Sequence, residues 1–554
     1  LADDGQKVFT DLSVIPMEAV ERVEVLKDGA SSIYGSDAIA GVVNIITRKD
    51  VEGASVQLQY GDFAGMEGGE TWGADLGWGG SSERARWFLG ASYFKQKEIS
   101  SIEYGPASVP VPGTGLANGS SATPYGRFVF QDPDGTVYSI TPNTGASDPT
   151  YTSGQPACPT TRTDDFHCFT TADRFNFAPY NLLLTPSERK SVFGQVQFDF
   201  TPTFGAYARV LYNERVSANQ AAPEPFFLGT DAGVYNDWAE RTLVISALNP
   251  YNPMGFDLTT VGAGANLFLL GRRPVEGGPR RFEQEVKTWY AAGGLNGVFD
   301  VAGKPWNWDV NLMRSESKAD QTNYGSYNIR RINEALGDPA ACAAIAGCVP
   351  LNVFGGPGTI TPAMLAWIQP VVRDKSENKL TSFSANITGD LFAVGDRQAK
   401  YAAGVEHRRY EGEFNPDPLR QTGESQDSFA APVSADYNVT EIYGEMQVPW
   451  TSTFSTDLAL RYSDYSTFGG ETTGKVGLRW QPIEDLVLRG TYSTGFRAPN
   501  LGELYGLTQF GATLTDPCGT TGSPGPAGPQ YVAGCAAAGV PLTFEQANTQ
   551  IITF

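Results

Sequence analysis

Alternation of apolar and polar residues, repeated along the chain without any long apolar run, restricts the possible folds more than any other feature of this sequence. In Gly53 to Tyr60, residues Ala54, Val56, Leu58 and Tyr60 fall on one side and Ser55, Gln57 and Gln59 on the other. A period of two makes a strand with one apolar and one polar face. The pattern returns with Val192, Val196, Phe198 and Phe200 opposite Gln195, Gln197 and Asp199, and with Trp306, Trp308, Val310 and Leu312 opposite Asn307, Asp309 and Asn311. Phe383, Ala385, Ile387 and Leu391 oppose Ser382, Ser384, Asn386, Thr388 and Asp390, and Gly474, Val476, Leu478 and Trp480 oppose Lys475 and Arg479.

Roughly 13 such segments are expected, near residues 53–62, 70–79, 84–97, 188–200, 203–216, 283–300, 305–316, 376–392, 398–413, 437–450, 455–465, 472–480 and 485–495, each about long enough to cross a bilayer as a strand or a little longer. No run of about 18 apolar residues is present, which argues against a helical membrane protein. It leaves a barrel open, since a barrel strand puts only every second residue against lipid. Short links near Ser81, Pro202, Gly303, Gly395, Thr453 and Pro482 alternate with connections that are often long, one running from Glu98 to Ser187. Outer-membrane barrels have short periplasmic turns and longer outside loops, so the alternation assigns a side to every connection.

Composition agrees. The chain has 63 Gly, 12% aromatic residues and only 6 Met, which suits strands and turns better than helices. Its 40 Lys+Arg against 61 Asp+Glu give a formal charge of −21, which disfavours a nucleic-acid partner. The cysteines form close pairs, Cys158 with Cys168, Cys342 with Cys348 and Cys518 with Cys535, all on the outward side of the strand count. Local pairs in exported loops are read as disulfides, with other connectivities still open. Zinc ligation is the alternative, but there is no Cys-x-x-Cys, and His167, one of only two histidines, is read as a polar neighbour of Cys168. His407 falls in a strand pattern without a special role.

Residues 1–48 behave differently. Ile15-Pro16-Met17-Glu18-Ala19 starts a short helix, Val20 to Leu26 reads as a strand ending at a Gly turn, and Ala30-Ser31-Ser32-Ile33-Tyr34-Gly35 offers one helical turn stopped by glycine. Gly41-Val42-Val43-Asn44-Ile45-Ile46-Thr47 reads as a buried strand. The phrases Glu-Arg-Val-Glu-Val-Leu-Lys-Asp-Gly (21–29), Ser-Ile-Tyr-Gly-Ser-Asp-Ala-Ile-Ala-Gly (32–41) and Val-Val-Asn-Ile-Ile-Thr (42–47) closely resemble the last part of the plug domain of TonB-dependent outer-membrane receptors. Phe496-Arg497-Ala498-Pro499-Asn500-Leu501-Gly502-Glu503-Leu504-Tyr505 resembles a segment late in that family's barrels, and Ser246 to Pro253 and Cys348 to Gly356 resemble loop phrases of its larger members.

The resemblance implies a mainly β protein: a transmembrane antiparallel β-barrel over 49–554 with long extracellular loops, and the C-terminal part of an α/β plug over 1–48. It also implies truncation at both ends. Leu1 to Val8 holds no export signal, and the TonB box and first half of the plug are expected to precede it. The family's barrels resemble 22-stranded transporters, so roughly nine strands are expected after Phe554.

The implied function is TonB-dependent, energy-coupled uptake of a scarce solute (siderophore, cobalamin, oligosaccharide or peptide) across the cell outer membrane of a Gram-negative bacterium. The implied partners are TonB with its inner-membrane energising complex, outer-membrane lipid and the ligand. Neither a cofactor nor catalysis is expected, since no Gly-x-Ser-x-Gly elbow, phosphate-binding Gly-rich Lys loop or His-Glu-x-x-His is present.

Phe175, Phe177 and Tyr180, with Phe226 and Phe227, are loop aromatics suited to stacking on a ligand ring or to packing. In the plug, Glu21, Arg22, Glu24 and Lys27 are candidates for ion pairs against the barrel wall, and Tyr34 and Gly35 mark the helical turn. Two rivals predict different behaviour: a passive porin would not need residues 18–47, and a secreted all-β enzyme would dissolve without detergent.

Overall fold

The computed structural model describes residues 11–506 apart from 28, 50, 231–242, 302 and 428, together with 2–3, 8–9, 510–513, 534–537, 539 and 550–553. After two short 3₁₀ turns come strand β1 (Val20–Leu26), the single helical turn α1 (Ser31–Tyr34) and strand β2 (Val42–Thr47), with β1 and β2 paired antiparallel. The chain then lays down β3 (Gly53–Gly61), β4 (Thr71–Ser81), β5 (Ala85–Gln96), β6 (Ser187–Thr201), β7 (Phe204–Ala221), β8 (Arg280–Val301) and β9 (Lys304–Tyr324). It continues with β10 (Val372–Val394), β11 (Arg397–Asn415), β12 (Val433–Val448), β13 (Phe454–Tyr465), β14 (Gly469–Ile483) and β15 (Leu486–Ser493).

These last elements form one 13-stranded antiparallel sheet in which each strand pairs with its neighbours in the chain. An up-and-down order of this kind follows from short turns, which can only join antiparallel neighbours. The chain reverses at 82–84, 202–203, Gly303, 395–396, 449–453 and 484–485. Pro202, Gly303, Gly395 and Thr453 lie at these positions, whereas Ser81 is the last residue of β4 and Pro482 lies near the end of β14, each just before its reversal.

The two faces meet different solvents. Val192, Leu312, Leu460 and Val476 are 54%, 59%, 61% and 46% exposed although each sits mid-strand, so the apolar stripe points away from the protein. Burial of an apolar stripe against the protein is the rule in water; a continuous outward stripe is what lipid selects. Near the short turns the stripe ends in aromatic rings: Phe198 lies 5.1 Å from Phe200, Phe200 5.2 Å from Phe204, and Trp306 5.1 Å from Tyr401. Such rings suit the membrane interface. Among the described residues no helix is long and apolar enough to cross a membrane.

The central strands run further than expected. β8, β9 and β10 have 22, 21 and 23 residues, or about 70 Å at ~3.3 Å per residue, well over a hydrocarbon thickness of ~30 Å. Above the apolar band the outward positions become charged, as in Glu283, Glu285 and Lys287 on β8 or Glu316, Lys318 and Asp320 on β9. Alternation of apolar and polar residues ends there while backbone pairing continues, so hydropathy alone places the strand end too early.

The long connections build a cap. The strands Phe166–Cys168, Val137–Pro142 and Arg127–Gln131 of the 97–186 connection continue into Leu267–Arg272 and Phe226–Leu228 of the 222–279 connection as one five-stranded sheet. Its core joins Phe128, Phe130, Ile140 and Leu270 to Ile329, Ile332, Leu336 and Phe354 of the 325–371 connection. Disulfides Cys158–Cys168 and Cys342–Cys348 staple this cap; the third expected pair includes Cys518, which lies outside the described residues.

Candidate functional site

The segment before β3 sits against the inward face of the wall in two seats of different character. The first is apolar: Val14, Ile15 and Ala19 pack on Phe88, Phe193, Leu211 and Tyr290, which point inward from β5 to β8. The linker is tied beside it, with the Thr47 hydroxyl donating to Gln195 Oε1 at 3.0 Å, the Gln195 amide donating to the Arg48 carbonyl, and Ser55 Oγ donating to Glu18 Oε2 at 3.1 Å.

The second seat is charged. Glu406 and Arg408 stand two apart on β11, Glu441 opposes Glu406 on β12, and Arg461 lies next along on β13, all on the inward face. Arg461 Nε donates to Glu441 Oε1 at 3.0 Å, and its Nη2 reaches Glu441 Oε2 at 2.7 Å and Glu406 Oε2 at 3.0 Å. Arg408 also pairs with Glu441, Ser463 Oγ donates to Glu441 Oε1 at 2.6 Å, and the Arg461 guanidinium lies 4.6 Å from the Tyr443 ring centre. Two carboxylates and two guanidiniums balance, the condition under which buried charge is tolerated.

The cluster also reaches the plug: Arg461 Nη1 donates to the Ile33 carbonyl at 2.8 Å. That carbonyl belongs to the last turn of α1, where helix carbonyls lack intrahelical partners. Gly35 follows with φ 85°, and a Cβ there would come within 3.3 Å of Arg408 Nη2 and of Glu441 Oε1. The left-handed backbone favours glycine here, and the ends of the two charged side chains leave little room beside it. The late motif closes the seat, with Ala498 N donating to Ser36 Oγ at 2.8 Å and Asp37 N donating to the Phe496 carbonyl at 3.2 Å.

The plug charges singled out from the sequence pair locally. Arg22 donates to Glu24 at 2.7 Å and also to Glu21 on its own exposed strand, and Lys27 is exposed. Strand neighbours spaced by one or two are nearer to one another than to the wall, which accounts for the difference. Tyr34 is 49% exposed at the turn. The residues that do face the plug, Glu406, Arg408, Glu441 and Arg461, had one readable signal: opposite charges two apart on a strand whose other face is apolar.

The cap treats its aromatic phrases unequally. Phe226 is fully buried with its ring 4.6 Å from Tyr327, whereas Phe175, Phe177, Tyr180 and Phe227 are half-buried; Phe175 lies 5.7 Å from Tyr180, and the Arg273 guanidinium lies at the same distance from the Phe175 ring centre. Two buried guanidiniums bind the connections together. Arg272 Nη2 donates to the Gly356 carbonyl at 3.1 Å and faces Glu276 at 3.4 Å, while Arg273 donates to the Ala122 and Pro223 carbonyls and to Ser120 Oγ. Burial lowers both to about 10, which leaves them charged at neutral pH. His167 bridges Asn143 Oδ1 at 2.9 Å and Asp173 Oδ1 at 3.0 Å.

Between plug and wall lies a cavity of about 310 Å³, within the range of small-molecule sites. Val14 and Ile15 border it on the plug side, and Tyr290, Thr288, Ser317 and Asn378 on the wall side.

Comparison with known proteins adds to this geometry. Residues 237–534 match the family model described as TonB dependent receptor-like, beta-barrel, and residues 2–42 match the TonB-dependent Receptor Plug Domain. Over 44 residues the chain is 54% identical to an iron-regulated outer membrane virulence protein of Vibrio cholerae, which covers 8% of this chain and 7% of that protein. Among solved structures, the ferric enterobactin receptor of Pseudomonas aeruginosa is similar with a TM-score of 0.46 at 14% identity, covering 89% of this chain and 51% of that one. A siderophore receptor from Acinetobacter baumannii gives a TM-score of 0.43 at 12% identity, with 89% and 50% covered. The chain thus spans about half the length of these solved receptors.

Proposed function

Because the chain belongs to the TonB-dependent receptors of the outer membrane, we propose that it serves energy-coupled uptake of a scarce solute, with the cap as capture surface and the seated plug as gate. The observation that carries this reading is the contact between Arg461 and the Ile33 carbonyl. It joins a transmembrane wall to the segment inside it through one side chain and a carbonyl rather than through a strand ladder. Among the described residues β1 and β2 pair only with each other, so the plug can shift without breaking a single hydrogen bond of the 13-stranded sheet.

On this reading residues 1–48 act as plug and 49–554 as wall and cap. Ligand reaching the cap and the plug turn at Tyr34 and Gly35 is signalled across the plug to TonB, whose inner-membrane complex supplies the pull. Phe175, Phe177, Tyr180 and Phe227, each half-buried, are the loop aromatics still able to meet it. A passive porin gains nothing from a plug held by a buried charge cluster.

Two strains test the proposal. Deleting residues 12–47 in the complete receptor should admit large antibiotics that the intact outer membrane excludes. Removing TonB should abolish uptake and leave surface binding intact. Unchanged permeability in the first strain, or undiminished uptake in the second, contradicts it.

A further inference from the structure

The segment 494–505, which carries the late motif, is held by different forces on its two sides. Where it leaves β15, Thr494 N donates to the Gly474 carbonyl and Gly474 N donates to Thr494 Oγ1, both at 2.9 Å. Beyond that point, among the described residues, its hydrogen bonds run to the plug or within the segment, and none reaches a wall strand. Arg497 grips Glu503 through bonds of 2.9 and 2.7 Å, and Asn500 and Glu503 cap the short helix Leu501–Tyr505 reciprocally at 3.0 and 2.9 Å. These bonds make the segment a preformed unit rather than a slack loop.

Towards the plug its ties are directional. Ser36 Oγ accepts from Ala498 N, and the Phe496 carbonyl accepts from the N–H of Asp37, which among the described residues is the one non-glycine with a positive φ, 74°. A Cβ on Gly495 would come within 3.0 Å of Ser31 Oγ and 3.4 Å of Ile39 Cγ1, so the segment lies directly on the turn.

Towards the wall it has only packing. Just capward of Arg408, Tyr410 and Tyr437 are register partners with rings stacked 4.8 Å apart, and Tyr465 lies 6.3 Å from Tyr437. Phe496 meets Tyr465 edge-on at 5.8 Å, and Leu501 and Leu504 pack on the same tyrosine shelf, which leaves Tyr437 and Tyr465 buried. Apolar contact sets no fixed geometry and is lost when the two surfaces part, whereas hydrogen bonds keep their partners in register. A segment lifted from the shelf therefore takes the turn with it. The Arg461 contact with Ile33 is then the only hydrogen bond, among the described residues, between the wall strands and residues 30–41.

We propose that residues 494–505 are a strap that keeps the plug turn in its charged seat, with Phe496, Leu501 and Leu504 as positioning residues that act on the turn through their grip on the tyrosine shelf. The proposal rests on the reading of the plug as a gate and adds the element that holds the gate shut.

Maleimide labelling of the complete receptor in whole cells tests it. The reporter is Ser32→Cys, at a buried position in the turn, and the control is Ala19→Cys, buried in the apolar seat. Leu501→Ser combined with Leu504→Ser should speed labelling at position 32 about tenfold, each leucine being only partly buried, and leave position 19 unchanged. Leu501→Met with Leu504→Met should keep the original rate, because volume and apolarity are conserved. Gly495→Val, which presses on Ser31 and Ile39 without touching the shelf, should also speed labelling at position 32. Retained heat-modifiable migration on gels reports that each variant is folded. An unchanged rate at position 32 in both the serine pair and Gly495→Val overturns the proposal, as does an equal rise at positions 19 and 32, which would mean that the whole plug has loosened. Either result leaves the gate reading standing; uptake that does not depend on TonB would remove the gate reading itself.

Discussion

Leu312 in the wall and Leu270 in the cap are both strand leucines, yet one is 59% exposed and the other fully buried. The wall keeps its small, polar residues inside and turns its apolar ones out, because its outer solvent is hydrocarbon. Every strand of the sheet between its two edges, β3 and β15, pairs with a neighbour on both sides, as crossing lipid without helices requires. The cap faces water, so its strands and helices turn their apolar residues in on one another, as in a soluble domain. One chain thus holds two inverted solutions to the same problem, joined through strands that run straight from one solvent into the other.

Substitutions can break this contrast. Phe128→Asp puts an unpaired charge into the cap core where Phe128 stacks 4.7 Å from Phe354, and should cost the cap more than about 5 kcal/mol, the lost ring and the buried charge together. Protease added to whole cells should then cut the cap while the wall keeps its heat-modifiable band. If the wall unfolds as well, cap and wall are one cooperative unit and the contrast fails. Arg461→Ala leaves Glu441 buried with Arg408 as its remaining guanidinium and should cost about 3–5 kcal/mol, read as faster labelling of a cysteine placed in the plug turn.

Leu312→Arg asks the opposite question of the wall and should cost about 2–4 kcal/mol at mid-membrane in urea unfolding from vesicles, with cap proteolysis unchanged. The smallest effect is a pH slope in the cap. Burial raises the Glu224 carboxyl, and the Arg280 guanidinium at 2.6 Å opposes this only in part. The folded cap therefore favours the protonated form. This contribution to stability is full below about pH 4.3, the ordinary glutamate value, and is lost as the pH rises through the higher folded value. Glu224→Gln should flatten the corresponding slope in cap proteolysis.

The contrast also explains what was legible beforehand. Lipid enforces a strict period of two over neighbouring residues, so the strands around Val56, Val196, Leu312 and Val476 could be read locally, and with them the short turns and the sidedness. The cap core is assembled from residues far apart in the chain, such as Phe128, Leu270 and Phe354, and no local pattern announces such a meeting. Phe226 was open to either reading, ligand-facing or packed, for the same reason: a buried ring and an exposed one read alike until their neighbours are known. The charged plug seat needed register. Glu406 meets Glu441, and Arg461 reaches both, only once three strands are aligned, whereas Arg22 is drawn to Glu21 and Glu24 by simple nearness.

The most direct test is a nitroxide scan of the receptor in lipid vesicles, placing labels one at a time at Gln195, Val196, Asn311 and Leu312. Labels at Val196 and Leu312 should collide freely with oxygen dissolved in the bilayer and those at Gln195 and Asn311 should not. Equal oxygen contact at all four positions would contradict an outward apolar face held against lipid.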